Sequence, residues 1–411
     1  MTTVHSRALW ALLSASFVIA LGYGIVAPAL PQFARSFDVS VSAASAVISA
    51  FAGMRLLFAP MSGRLVQKLG ERPVYLSGVF IVAVSTGLCA FAESYWQLLV
   101  LRSLGGIGST MFTVSAMGLV IRIAPPDVRG RIAGMWTSSF VLGGIGGPLV
   151  GSLFVGFGLR VPFVVYAVAL LLAVAVVYFA LRDSELAKPQ ADSDAPTMSL
   201  RQALRHNAYR ASLWTNFAVG WGAFGVRMAL LPLFAVEVLK SSPATGGIAL
   251  TFFAAGNAAV LIPAGRWADR FGRRPFLIAG SLVCGLATIA VGFADNLPML
   301  FAASLIAGMG SGAMSPAETA VVADVIGAEA RGGPVLAAFQ MASDIGVVVG
   351  PVIAGALAQE LSYASAFTAT GAVLLVATGA WLLAPETLAR NPDPDERADQ
   401  VGRPDRDGAE Q

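Results

Sequence analysis

Charge is scarce in this sequence. Of its 411 residues only 12% are Asp, Glu, Lys or Arg, while 56% are hydrophobic; an ordinary soluble domain carries roughly 25% charge. With a mean hydropathy of +0.73, a soluble chain could not cover itself with polar surface, so the composition fits a bilayer as solvent. The two histidines, His5 and His206, fall in polar flanks, which excludes a histidine-based metal or catalytic site within an apolar segment. The two cysteines, Cys89 and Cys284, lie in separate apolar segments and offer neither a disulfide framework nor a metal-ligand spacing. None of the three lysines, Lys68, Lys188 and Lys240, follows a glycine. The chain therefore lacks the G-x-x-x-x-G-K-S/T phosphate loop, and no polar segment is large enough to hold a nucleotide. The net charge of +3 is small and its basic residues are scattered, which gives no footprint for nucleic acid.

What is abundant is apolar sequence in long runs. About 20 apolar residues make one membrane-spanning helix. Spans are expected at 8–31, 43–66, 73–92, 96–122, 129–157 and 160–181, and again at 209–239, 244–266, 274–293, 298–323, 332–358 and 362–384. The first run, from Ala8 to Leu30 after Arg7, is too long for a signal-peptide core and reads as a retained span. The predicted organisation is an all-α membrane protein: an N-terminal six-helix bundle (1–182), a cytoplasmic linker (183–208), a C-terminal six-helix bundle (209–384) and a disordered cytoplasmic tail (385–411). Of the loop Lys and Arg residues, 17 fall on the side shared with the N-terminus and three (Arg35, Arg160, Lys240) on the other. This asymmetry predicts cytoplasmic termini. Ser199 to Ala211 carries Leu200, Ala203, Leu204 and Ala211 at helical spacing against Arg201, Arg205 and Arg210, which suits a short surface helix.

The two sets of spans repeat each other. GRLVQKLGERP (Gly63 to Pro73) matches GRWADRFGRRP (Gly265 to Pro275) at a shift of 202, Arg129-Gly130 matches Arg331-Gly332 at the same shift, and Gly147-Pro148 matches Gly350-Pro351 at 203. Repeats of the same orientation imply halves related by an axis along the membrane normal, with a ligand site between them near the midplane.

These motifs resemble those of the major facilitator superfamily, over nearly the whole chain up to Pro385. The loop after span 2 resembles that family's G-x-L-x-D-R-x-G-R-R signature through Gly63, Leu65, Gly70 and Arg72, with Gln67 and Glu71 replacing an Asp and an Arg. The loop after span 8 keeps more of it: Gly265, Asp269, Arg270, Gly272, Arg273 and Arg274. The resemblance implies gating loops, in which the carboxylate pairs with arginines and a helix N-terminus to latch the halves together. Span 5 carries Gly143, Gly147, Pro148 and Gly151, similar to the family's antiporter motif, with Ser152 in place of its last Gly; span 11 echoes it as Gly346, Gly350 and Pro351. Leu21-Gly22 with Pro28-x-x-Pro31, and Arg102-x-x-Gly105-Gly106-x-Gly108, resemble patterns of the twelve-span drug:proton antiporter branch. That branch often carries an acid in span 1; here span 1 offers Ser14, Ser16 and Tyr23 and no Asp or Glu.

Ionisable groups inside spans are costly and face a cavity or a partner. Asp344 in span 11 is the first candidate for a proton carrier, with Arg227 in span 7 at nearly the same depth as its expected partner and Glu318 in span 10 as a further acid. Arg102 is placed to snorkel outward past Trp96, and Arg55 has no carboxylate in any first-half span to pair with. A substrate wall is expected from Arg55, Arg102, Tyr23, Trp136, Trp214, Asn216, Trp221, Phe224, Asn257, Phe339 and Gln340.

The expected function is proton-coupled secondary transport, most simply efflux of small amphipathic compounds from a cell (inner) membrane by a monomer. Its partners are then a small-molecule substrate and the bilayer, with no cofactor beyond the proton gradient, no metal and no catalytic site. One alternative is an organic anion or metabolite recognised by the intramembrane arginines; another, of a different class, is a membrane sensor that moves nothing.

Overall fold

A computed structural model describes residues 3–123, 129–180, 198–327 and 333–388. Twelve long helices run through them: α1 (Thr3–Val26), α2 (Val41–Leu69), α3 (Glu71–Cys89), α4 (Tyr95–Ile123), α5 (Arg129–Val155), α6 (Val161–Ala180), α7 (Asn207–Glu237), α8 (Thr245–Phe271), α9 (Arg274–Gly292), α10 (Leu297–Ile326), α11 (Gly333–Glu360) and α12 (Tyr363–Leu383). Eleven are long and apolar enough to cross a membrane; in the twelfth, α5, the apolar stretch is Leu142–Val155. Most of the expected linker and tail, the Arg331-Gly332 landmark and the side chain of Trp136 lie outside the described residues.

Local sequence sets where the helices start and stop. Ser40 caps α2 by accepting from Ala43 N at 3.1 Å, Asn296 caps α10 by accepting from Met299 N at 2.9 Å, and Ser362 caps α12 by accepting from Ser365 N at 3.1 Å. In the two signature loops Gly70 (φ 84°) ends α2 and Gly272 (φ 102°) ends α8. Both lie in the left-handed region that only glycine enters without strain, which explains the glycine of each loop copy.

Two expectations are corrected. The first span does not run on to Leu30. The chain turns at 27–29, where Pro28 has no N–H to continue the ladder, and a separate short helix follows at Leu30–Arg35. The surface helix of the linker is only one turn, Leu200–Ala203, closed by a capping box between Ser199 and Gln202. α7 restarts at Asn207, so Ala211 belongs to a span.

The halves meet mainly along two helix pairs, α2 with α11 and α5 with α8. Within each half, glycines let backbones approach. A Cβ on Gly143 would lie 2.7 Å from Leu21 N, on Gly147 2.5 Å from Leu21 O, and on Gly151 2.4 Å from Ile25 O, so the antiporter-like motif is the face of α5 that seats α1. The echo in α11 seats α7: a Cβ on Gly346 would run into Phe217 O, and one on Gly350 would lie 3.0 Å from Trp221 Cα. Opposite it, α7 widens into a π-helical segment, Gly220–Val226, a form of helix found mainly at functional sites.

Candidate functional site

A cavity of about 580 Å³ lies between the halves, within the range of small-molecule sites. Its wall is mainly apolar (Val79, Val82, Leu170, Leu250 and Val347 among others), and into it project Tyr23, Arg55, Arg102, Phe224, Arg227, Asn257, Gln340 and Asp344.

The charged pair of this cavity is not the expected one. Asp344 Oδ1 lies 3.6 Å from Arg55 Nη2, α11 to α2, so the pair bridges the two halves. This corrects the expected Arg227–Asp344 pair and gives Arg55, which has no carboxylate to pair with in a first-half span, a partner in the second half. The separation is longer than the 2.7–2.9 Å of a tight charged hydrogen bond, and both side chains keep some exposure, 24% and 15%. Arg55 Nη1 also donates to Ser109 Oγ at 3.4 Å, and Gln340 hydrogen-bonds Asp344 from one turn earlier in α11.

Arg227 is instead enclosed by its own half. Its guanidinium lies 3.8 Å above the ring of Phe253, and Nη2 donates to Thr288 Oγ1 at 3.2 Å. Arg102 does not snorkel outward: it is 5% exposed and its guanidinium lies 4.4 Å above Phe51. The aromatic faces Phe51 and Phe253 were not legible beforehand, because a phenylalanine in an apolar helix looks like core. Asn257 Nδ2 donates to Ser311 Oγ at 3.2 Å beside the cavity.

Five expected residues fall elsewhere. Asn216 Nδ2 donates to Phe339 O at 2.6 Å, and Phe339 packs against a small cluster around Tyr209 and Val335. Trp221 Nε1 reaches Thr370 Oγ1 at 3.3 Å. These three join α7 to α11 and α12 and do not line the cavity. Trp214 packs against Phe217, with ring centroids 5.3 Å apart and planes tilted by 39°. Glu318 is also outside the cavity wall, 4% exposed, with Oε1 lacking a hydrogen-bond partner.

Among the described residues, the signature-loop bonds do not join the two halves. Arg273 pairs with Asp324 and donates to Ala320 O at 2.9 Å, while Asp269 is 70% exposed and 3.9 Å from Arg273. Arg274 donates to Trp381 O at 3.0 Å and Leu382 O at 2.7 Å, and Arg270 lies 5.3 Å from the ring of its neighbour Phe271. In the first copy, Arg72 Nη2 meets Tyr178 O at 3.5 Å. Each of these bonds stays within its own half. Nothing stands within 4 Å of a Cβ placed on Gly63, and Gly265 meets only Pro316 of its own half at 3.4 Å. Glu386, just beyond α12, accepts from Arg273 N and Arg274 N at 3.0 Å each, and so caps α9.

At the opposite end the halves are tied. Arg35 Nε donates to Glu237 Oε1 at 2.8 Å, Tyr363 OH donates to Glu237 Oε2 at 2.6 Å, and Gln32 Nε2 donates to Pro243 O at 2.9 Å. Residues 35 and 237 are exactly one repeat shift, 202, apart. Equivalent positions beside a two-fold axis face each other, which is the signal that could have found this pair.

Comparison with known proteins agrees with this architecture. The family model described as Major Facilitator Superfamily matches residues 12–242 and 217–406. The synaptic vesicular amine transporter of Mus musculus is 27% identical over 334 residues, 79% of this chain; the chain spans 63% of that relative's length. The multidrug resistance protein MdtH of Cronobacter sakazakii is 25% identical over 78% of this chain and 79% of its own, and a multi-drug resistance efflux pump PmrA homolog of Lactococcus lactis is 23% identical over 88% and 90%. Among solved structures, a bacterial homolog of the human lysosomal transporter Spinster, in an inward-facing and unoccupied conformation, superposes with a TM-score of 0.78 at 18% identity, covering 93% of this chain and 97% of the other. The human organic anion transporter MFSD10 superposes at 0.64, also at 18% identity, covering 92% and 99%. Eleven of the described helices are long and apolar enough to cross a membrane, and the chain belongs to the major facilitator superfamily.

Proposed function

We propose that this protein is a proton-coupled exporter of small amphipathic compounds, acting as a monomer in a cell (inner) membrane with both termini cytoplasmic. The observation that carries the reading is the Arg55–Asp344 pair, which joins the two halves inside the substrate-sized cavity. Protonating Asp344 removes the charge that Arg55 holds, and with it the only ion pair between α2 and α11 among the described residues. A proton then changes how the halves are held together, which is what coupling in alternating access requires. The names of the MdtH and PmrA relatives support efflux. The excess of basic residues at the signature-loop end supports its cytoplasmic placement. With that orientation the tied end faces outward and the arrangement is inward-open. The proton gradient is the only driving agent required, and no metal or cofactor takes part.

The test is reconstitution in vesicles with a pH reporter inside and a panel of amphipathic compounds. Substrate-dependent proton movement under an imposed gradient is expected. Absence of any substrate-dependent flux, under proton, sodium or substrate gradients alike, would remove transport of such compounds as the function.

A further inference from the structure

We propose that Arg102 and Arg227 form an anion-binding site in the central cavity, made for an organic anion with a carboxylate, sulfonate or phosphate head on an apolar body. This rests on the reading of the cavity as a site for small amphipathic compounds and assigns the charge those compounds carry.

Both arginines line the cavity, yet they are only 5% and 4% exposed. Among the described residues neither is paired with a carboxylate. Arg102 Nε, and Nε and Nη1 of Arg227, are buried with no hydrogen-bond partner. A buried charge left unpaired is costly, so two such groups in one cavity wall favour an anion there. Their geometry is prepared for one. Phe51 and Phe253 each cover a face of a guanidinium, at 4.4 and 3.8 Å. A stacked guanidinium keeps the N–H groups of its edge free, and that edge is the fork that grips a carboxylate or phosphate with two bonds.

The balance of charge points the same way. The charged side chains of the described wall are three arginines and one aspartate, a net charge of +2, and the aspartate is already held by Arg55. A cation entering here meets two uncompensated positive groups and no free carboxylate. The rest of the wall, with Val79, Val82, Leu170 and Leu250, suits an aliphatic or aromatic body.

The experiment compares two probes that share a body and differ in charge, 4-(1-pyrenyl)butyrate and 4-(1-pyrenyl)butyl-trimethylammonium. Binding to the full-length protein in lipid nanodiscs is read by energy transfer from tryptophan to pyrene, with empty nanodiscs subtracted. The carboxylate is expected to bind at least about tenfold more tightly than the ammonium, a difference of about 1.4 kcal/mol. Arg102→Gln and Arg227→Gln should each weaken the carboxylate about tenfold or more and leave the ammonium unchanged. Arg→Lys at either place keeps the charge but loses the fork and should fall between. Discrimination by the wild-type protein needs no variant, so misfolding of a variant does not disable the test. Equal or tighter binding of the ammonium overturns the proposal, as does unchanged carboxylate affinity in both Gln variants or binding of neither probe. Vesicles that transport only cationic compounds would sink this site while leaving the exporter reading intact. Anion binding without flux would do the reverse.

Discussion

Replacing Gly147 by Ala places one methyl group between two backbones. Its carbon would sit 2.5 Å from Leu21 O and 2.6 Å from Gly24 Cα, whereas ordinary contact begins at 3.4 Å. The shortfall, 3.4 − 2.5 = 0.9 Å, falls on backbone atoms that have no rotamer to escape into. α1 and α5 must therefore move apart, and because Gly143 and Gly151 sit one turn to either side, their contacts loosen too. Overpacking of this kind costs about 1–3 kcal/mol. Alanine returns up to about 1 kcal/mol through helix propensity, which leaves a net loss of about 2 kcal/mol at the upper end of that range. The control is Gly379→Ala in α12, where nothing lies within 4 Å of the added carbon. The assay is the midpoint of heat-induced loss of the monodisperse peak in detergent, read for both variants at one heating rate because such unfolding is kinetic. Gly147→Ala should fall clearly below wild type and Gly379→Ala should not. Equal midpoints for the two would refute the claim that α1 and α5 are held at glycine distance.

Two further predictions concern the ends of the bundle. The Glu386 carboxyl is pushed up by partial burial, but the backbone N–H groups of Arg273, Leu388, Arg274 and Thr387 outweigh this and hold it below its ordinary value near 4.5. A pKa lowered by folding stabilises the fold above the unfolded value and ceases to do so as pH falls through the folded one. Glu386→Gln should therefore lower thermal stability at pH 7, by about 1 kcal/mol for a helix N-terminal carboxylate, and the gap should close as pH falls from the ordinary carboxyl range through the lowered folded value; a pH-independent gap would contradict the capping role. At the tied end, Glu237→Gln removes the ion pair to Arg35. For a partly exposed pair worth about 1 kcal/mol, populations should shift roughly fivefold toward separation of that end. Spin labels at positions 36 and 242 would report a longer distance, and an unchanged distance distribution would show that the pair is not a tie.

Much of the fold could be read from apolar run length, and the halves from the repeat. Gly70 and Gly272 could be read as required turns because both copies keep them. Side-chain direction was less legible. Depth along a helix put Arg227 level with Asp344, but depth does not say which face a residue takes, and Arg227 turns to Phe253 and Thr288 of its own half. The partner of Arg55 lay in the other half, beyond a search confined to the first. Asn216, Trp221 and Phe339 have the polar or aromatic character of a ligand wall, yet here they serve the α7–α11 and α7–α12 contacts. An aromatic or amide residue in a span has the same sequence signature whether it faces a ligand or a neighbouring helix.

In the proposed coupling, Asp344 is the group through which protons act. The measurement is transport by Asp344→Asn in vesicles, run as gradient-driven accumulation and as substrate exchange without a gradient, with internal pH recorded. The neutral amide cannot pick up and release a proton, but the cavity keeps its shape. The account predicts that exchange persists while accumulation against the substrate gradient and substrate-dependent proton movement are lost. A variant that still concentrates substrate while moving protons would contradict it.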